Sequence, residues 1–140
     1  MILKAPIFQL PYLDDQCEFF NLEDHLGNII VLTFWTSWCP ECSVDLMLKE
    51  KLYQASDKNI IKFLTINVSG RERSTIAGLK YFREYLTQPT LIDRGVETYR
   101  TYNCHGVPTT VIINPKGELI KQITGQVNLI ELIDTIRPFI

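Results

Sequence analysis

Seven consecutive residues, Ile29-Ile30-Val31-Leu32-Thr33-Phe34-Trp35, form a near-continuous apolar, β-branched run. Such a run suits a strand covered on both faces, as in a mostly parallel sheet. Pro40 then fits the first turn of a helix, where its missing N–H is no loss, and Val44, Leu48, Leu52 and Ala55 recur at helical spacing. Ile60–Val68 reads as a second buried strand. Ile76, Leu79, Phe82 and Leu86 mark a second helix, with Ser74 or Thr75 as its cap. Pro89–Asp93 reads as a short strand and Val96–Tyr102 as a short helix. Thr109–Ile113 is a third main strand, Asn114-Pro115-Lys116-Gly117 a turn, and Glu118–Thr124 its hairpin partner. Leu129, Ile133, Ile136 and Ile140 stripe a C-terminal helix. Before all of these, extended pieces around Phe8 and Cys17–Asn21 pair as a hairpin. Strands alternating with helices, followed by a hairpin and a last helix, predict a three-layer α/β sandwich with a central mixed sheet.

Composition narrows the function classes. The chain has 140 residues, 46% hydrophobic and 21% charged, which suits one folded domain over 1–140 and excludes a disordered chain. Fourteen Lys+Arg against sixteen Asp+Glu give a net charge of -2, so no positive field draws nucleic acid. The first residues are interrupted by Pro6, Gln9 and Pro11 and lack the apolar core of a signal peptide. The Ile29–Trp35 run falls far short of the about 20 apolar residues of a membrane span. The expected setting is cytoplasmic if the chain is complete. It is extracytoplasmic and membrane-anchored if an N-terminal segment was removed.

The chemistry concentrates in Trp38-Cys39-Pro40-Glu41-Cys42, at the junction of the first buried strand and the first helix. Cys39 falls at the helix N-terminus, where unpaired N–H groups and the helix dipole favour a thiolate, the reactive form. Cys42, at i+3, shares its face. Cys39 is thus placed to attack a client disulfide and Cys42 to resolve the mixed disulfide. A C-x-x-C is also half a zinc site. Completing one would draw on Cys17, Cys104, His25 and His105, none of which forms a second C-x-x-C. Cys17 and Cys104 are expected to pack as small hydrophobes, Cys104 within reach of the active-site rim, and His105 to be a loop residue. Far along the chain, Gly106-Val107-Pro108-Thr109-Thr110 leads into an apolar strand, where proline is tolerated.

Together these features resemble the thioredoxin superfamily, in particular the bacterial thiol-disulfide oxidoreductases of the TlpA/ResA type. The family's F-W-x-x-W-C-x-x-C stands as Phe34-Trp35-Thr36-Ser37-Trp38-Cys39-Pro40-Glu41-Cys42, and its cis-proline loop and hairpin as Gly106 to Gly117. The resemblance runs from Ala5-Pro6-Ile7-Phe8-Gln9-Leu10-Pro11 to the last helix. It implies a thioredoxin-like fold with an N-terminal hairpin extension and a cis Val107–Pro108 bond facing the cysteines. Val107 backbone groups would pair with an extended client by strand addition. It implies a redox-active Cys39–Cys42 disulfide and no other cofactor, a protein or peptide client, an upstream redox partner and a monomer. Thioredoxins carry a buried Asp six positions before the first cysteine; here that position is Thr33. TlpA/ResA-like members carry an acid three residues after the second cysteine; here it is Asp45, expected either to take the Cys42 proton or to be a surface charge at the helix start. Where the oxidant DsbA has Pro-His between its cysteines this chain has Pro40-Glu41, and Asp45 adds a second carboxylate a turn away, which points to a reductant. The other readings are a peroxiredoxin, which lacks this C-x-x-C, and a metal-binding chaperone or interaction module on the same fold.

Overall fold

The computed structural model describes residues 3–140. Its central sheet has the order β1(Leu3–Lys4), β8(Glu118–Thr124), β7(Thr109–Ile113), β4(Ile29–Trp35), β5(Ile61–Asn67), β6(Thr90–Ile92). The β4–β5 and β5–β6 pairs are parallel; β4–β7, β7–β8 and β1–β8 are antiparallel. The sheet is therefore mixed. β1 is an edge strand that sequence patterning did not reveal, two exposed residues recruited by the β8 backbone. The expected hairpin forms separately, as β2(Gln9–Pro11) against β3(Phe19–Asn21).

Alternation along β4 separates two cores. Ile30, Leu32 and Phe34 pack with Leu64, Ile66, Val111 and Ile113 against the hairpin and α3(Glu97–Thr101), through Leu10, Phe20, Tyr99 and Tyr102. Ile29 and Val31 face the other way, toward α1(Pro40–Ala55) and α4(Leu129–Ile136). Trp35, on that same side, meets α1 and α2(Ala77–Tyr85). Every residue of β4 is buried, which is why its sequence carries no polar alternation. Among the described residues no helix is long and apolar enough to cross a membrane.

Three expectations need correction. Val44 is exposed and Leu48 and Leu52 only half-buried; α1 turns inward a face made of Cys42, Asp45, Leu46, Lys49 and Glu50. The apolar spacing identifies this helix but not its buried side, because polar groups there are satisfied by distant partners. α2 begins after Ile76 with no side-chain cap, so neither Ser74 nor Thr75 serves. α4 ends at Ile136, short of Ile140, and buries Leu132 and Ile136, while Leu129, Ile133 and Ile140 are exposed.

Candidate active site

β4 ends at Trp35 and the chain reaches α1 through Thr36-Ser37-Trp38. Cys39 is the N-cap of α1, with extended φ and ψ of -86° and 113°. Its sulfur accepts the Cys42 N–H at 3.1 Å, the position that a capping oxygen takes in an ordinary helix. Pro40 follows at the first helical position. Cys39 is 6% exposed and Cys42 is fully buried. Burial, then the contact with Cys39, pushes the Cys42 thiol above the ordinary range, with Asp45 adding to the rise. Cys39 is thus the less buried of the two sulfurs, and Cys42 lies wholly inside.

The Val107–Pro108 bond is cis. It brings the Val107 carbonyl to the Cys39 sulfur, which donates to it at 3.6 Å. Val107 is half-buried and Pro108 is buried at the start of β7. The two chain segments that resemblance linked thus meet at one sulfur, across 68 residues of sequence.

The loop before Cys39 is clamped by a residue that sequence reasoning passed over. The Glu72 carboxylate accepts from Ser37 N–H at 2.8 Å, Ser37 Oγ at 2.6 Å and Asn67 Nδ2 at 2.7 Å. Trp38 Nε1 donates to the Arg71 carbonyl at 2.8 Å, and the Arg73 guanidinium lies over the Trp38 ring at 4.8 Å. Asn67 in turn needs Gly78, where a Cβ would stand 2.4 Å from its Oδ1. The only trace of this in the sequence is a charged Arg-Glu-Arg run, which reads equally well as solvated surface.

The two carboxylates near the cysteines differ in setting. Glu41 is exposed and its Oε2 accepts the Gln126 N–H at 2.9 Å. Asp45 is not a surface charge: it is fully buried, accepts the Val127 N–H at 2.8 Å and pairs with Lys49 Nζ at 2.6 Å. Lys49 also donates to Thr33 Oγ1 at 2.8 Å and Thr110 Oγ1 at 2.5 Å. Thr33 thus bonds the ammonium that pairs with Asp45. A lysine on a helix reads as exposed by default, so no sequence signal singled out Lys49.

The remaining candidates lie elsewhere. Cys17 is exposed at a turn in the loop joining β2 to β3, which corrects its expected packing: that loop buries Leu13, while Cys17 faces solvent beside Asp15, whose carboxylate accepts its N–H. Cys104 is buried in the core, where desolvation pushes its thiol up to about 12 despite a hydrogen bond to Thr109. His105 is exposed and His25 stacks on Phe20 at 4.3 Å. Among the described residues no three His, Cys, Asp or Glu side chains gather as a metal-binding group.

Residues 3–122 match the model of the AhpC/TSA family. The chain is 31% identical over 100 residues to the sporulation thiol-disulfide oxidoreductase A of Bacillus subtilis (strain 168), covering 71% of this chain and 61% of that protein. It is 32% identical over 105 residues to the thiol-disulfide oxidoreductase ResA of Geobacillus kaustophilus (strain HTA426), covering 75% of this chain and 59% of that one. It thus spans about three-fifths of the length of these curated relatives. The crystal structure of StoA from Bacillus subtilis superposes with a TM-score of 0.79 at 26% identity, over 93% of this chain and 96% of that one.

Proposed function

We propose, for a chain that belongs to the AhpC/TSA family, that it is a thiol-disulfide oxidoreductase exchanging the Cys39/Cys42 dithiol with a protein or peptide client. One observation carries the reading. The Cys39 sulfur caps a helix N-terminus at 3.1 Å from the Cys42 N–H and lies beside the Val107 carbonyl that precedes a cis proline. Helix N–H groups stabilise negative charge on that sulfur without a neighbouring base.

In the reducing direction the Cys39 thiolate attacks one sulfur of a client disulfide. A Cys39–client bond forms, and the other client sulfur leaves as a thiolate. Cys42 then attacks the Cys39 sulfur and releases the client as a dithiol. The half-buried Val107 backbone offers an extended client segment a strand-addition partner. Trp38 and Pro40 shape the rim, and Glu41 and Asp45 supply negative charge nearby. The exposed Glu41 carboxylate between the cysteines favours a reductant, recharged by an upstream dithiol donor. As the TlpA/ResA resemblance implies, the setting is extracytoplasmic, and no cofactor beyond the cysteine pair is required.

Cys42→Ser tests the assignment. It should trap a mixed disulfide through Cys39 with a disulfide-bonded test peptide, seen as a mass adduct lost on reduction. Cys39→Ser should trap none. Adducts on Cys42 in the Cys39→Ser protein, at the rate of the reciprocal variant, would reverse the roles.

A further inference from the structure

Thiol exchange at Cys39 and Cys42 leaves one buried cation without a role. Lys49 is fully buried, and its three ammonium protons go to Asp45, Thr33 and Thr110. Thr33 and Thr110 are register partners on β4 and β7. The loop before α4 adds the Val127 N–H to the other Asp45 oxygen. Four separate segments thus converge to keep one ion pair in the interior. Stability alone is a poor reason for it, since buried ion pairs are often matched or bettered by apolar residues of similar volume. Its position supplies another reason. Cys42, Asp45 and Lys49 follow at i, i+3 and i+7 on the inward face of α1, so the pair shares the buried face of the resolving sulfur, one and two turns further along the helix.

We propose that Lys49 is a positioning residue for proton transfer at Cys42: it holds the Asp45 carboxylate ionised and aimed in the interior, available for the proton that Cys42 must lose. This rests on the thiol-exchange reading of the preceding section. In the resolving step the Cys42 S–H proton passes to Asp45 and the Cys42 sulfur attacks the Cys39 sulfur. The Cys39–client bond breaks, and the client sulfur leaves with the electron pair and takes a proton from water. Two thiols of this chain are oxidised as one client disulfide is reduced.

Without the ammonium, a buried carboxylate has two courses. It takes up a proton, since burial disfavours its charge, and no acceptor remains. Alternatively it stays ionised and opposes the Cys42 thiolate at close range. Either course slows resolution at neutral pH. Burial draws Lys49 below the ordinary lysine range, while Asp45, and more weakly Cys42, pull it back up. The titratable groups that act on Lys49 are therefore Asp45 and Cys42 on its own helix. β4 and β7 present neutral hydroxyls, and the loop before α4 presents an N–H to Asp45.

Lys49→Met removes the charge and keeps the length. Oxidised glutathione serves as the disulfide probe, with mixed-disulfide formation and resolution followed separately by acid quench and mass spectrometry from about pH 5.5 to 9.5, the span of carboxylate and thiol titration. Formation at Cys39 should stay within about twofold of wild type. Resolution at pH 7 should fall at least about tenfold, in the range of a lost general base, and its pH midpoint should move upward. Asp45→Asn with Lys49→Met should be no slower than Asp45→Asn alone, as for residues acting as a unit. Wild-type resolution and midpoint in Lys49→Met, or equal slowing of both steps, would overturn the proposal. Should Lys49→Met fail to fold, the wild type decides: in 13C-lysine-labelled protein the Lys49 Cε resonance must move with the pH step of resolution, and an indifferent resonance overturns the role. A wild type that forms no adduct at Cys39 refutes the exchange reading itself, an outcome separate from these.

Discussion

Glu72→Ala should loosen the loop that delivers Cys39, and the size of the effect follows from what each donor loses. The Glu72 carboxylate accepts three hydrogen bonds, at 2.8 and 2.6 Å from Ser37 and 2.7 Å from Asn67. Hydrogen bonds to a charged group contribute about 1.5–3 kcal/mol each, but only where water cannot replace the lost acceptor. Ser37 is half-buried, so its two donors recover much of their loss from solvent. Asn67 is 2% exposed, and its Nδ2 would keep only the Trp35 carbonyl at 3.5 Å. The sum is about 2–4 kcal/mol, dominated by Asn67. At about 2.1 cal/mol/K per residue, the 140 residues unfold with an entropy near 0.3 kcal/mol/K. The midpoint should therefore fall by roughly 7–14 °C. Thermal unfolding of the reduced protein, followed by far-UV circular dichroism, measures it. Glu72→Gln should recover only part of the loss, because one of its two oxygens becomes an NH2 group facing donors. A Glu72→Ala midpoint within about 2 °C of wild type, less than 1 kcal/mol on this scale, would refute the clamp.

Two further predictions concern carboxylates on α1. Burial pushes Glu50 up, but donors from Thr87 and Gln88 outweigh it and hold the carboxyl below its usual range. Its stabilisation is therefore full above the unfolded value of about 4.3 and is lost as pH falls through the lower folded value. Glu50→Gln should be less stable than wild type to urea at pH 7, and the gap should close toward pH 3 (about the acid limit of carboxylate titration); a gap constant with pH refutes the account. Glu41→His replaces an exposed carboxylate between the cysteines with a partly cationic ring, favouring thiolate and so the reduced form. Equilibration with glutathione should place wild type nearer roughly −270 mV than −120 mV and the variant higher, each tenfold in equilibrium being about 30 mV. A wild-type value above about −170 mV, or an unmoved variant, refutes the charge argument.

What the sequence by itself determined is whatever depends on neighbours along the chain. The unbroken apolar run of Ile29–Trp35 announces a strand with two covered faces, and both of its faces are covered. Pro40 after Cys39 announces a helix start with a sulfur at its cap, because a cap is set by residues within one turn. The turn at Asn114–Gly117 and the return of β8 are equally local. The tertiary structure decided the rest, and in each case the reason is a partner that sequence patterning does not connect. Which side of α1 points inward depends on Lys49 finding Thr110, 61 residues away, and Asp45 finding Val127, 82 residues away. Until those partners are in place, Lys49 reads as a solvated charge, Asp45 stays open between proton acceptor and surface charge, and Val44 reads as better buried than either. Glu72 becomes part of the active-site loop only when parallel pairing sets β5 beside β4 and carries the end of β5 to Ser37. β1 becomes a strand only because β8 leaves an edge to pair with. Burying a charge or ordering a two-residue strand is unfavourable in isolation. It becomes favourable only against donors, acceptors and strand edges assembled by the fold, so those features belong to the fold and not to the local pattern.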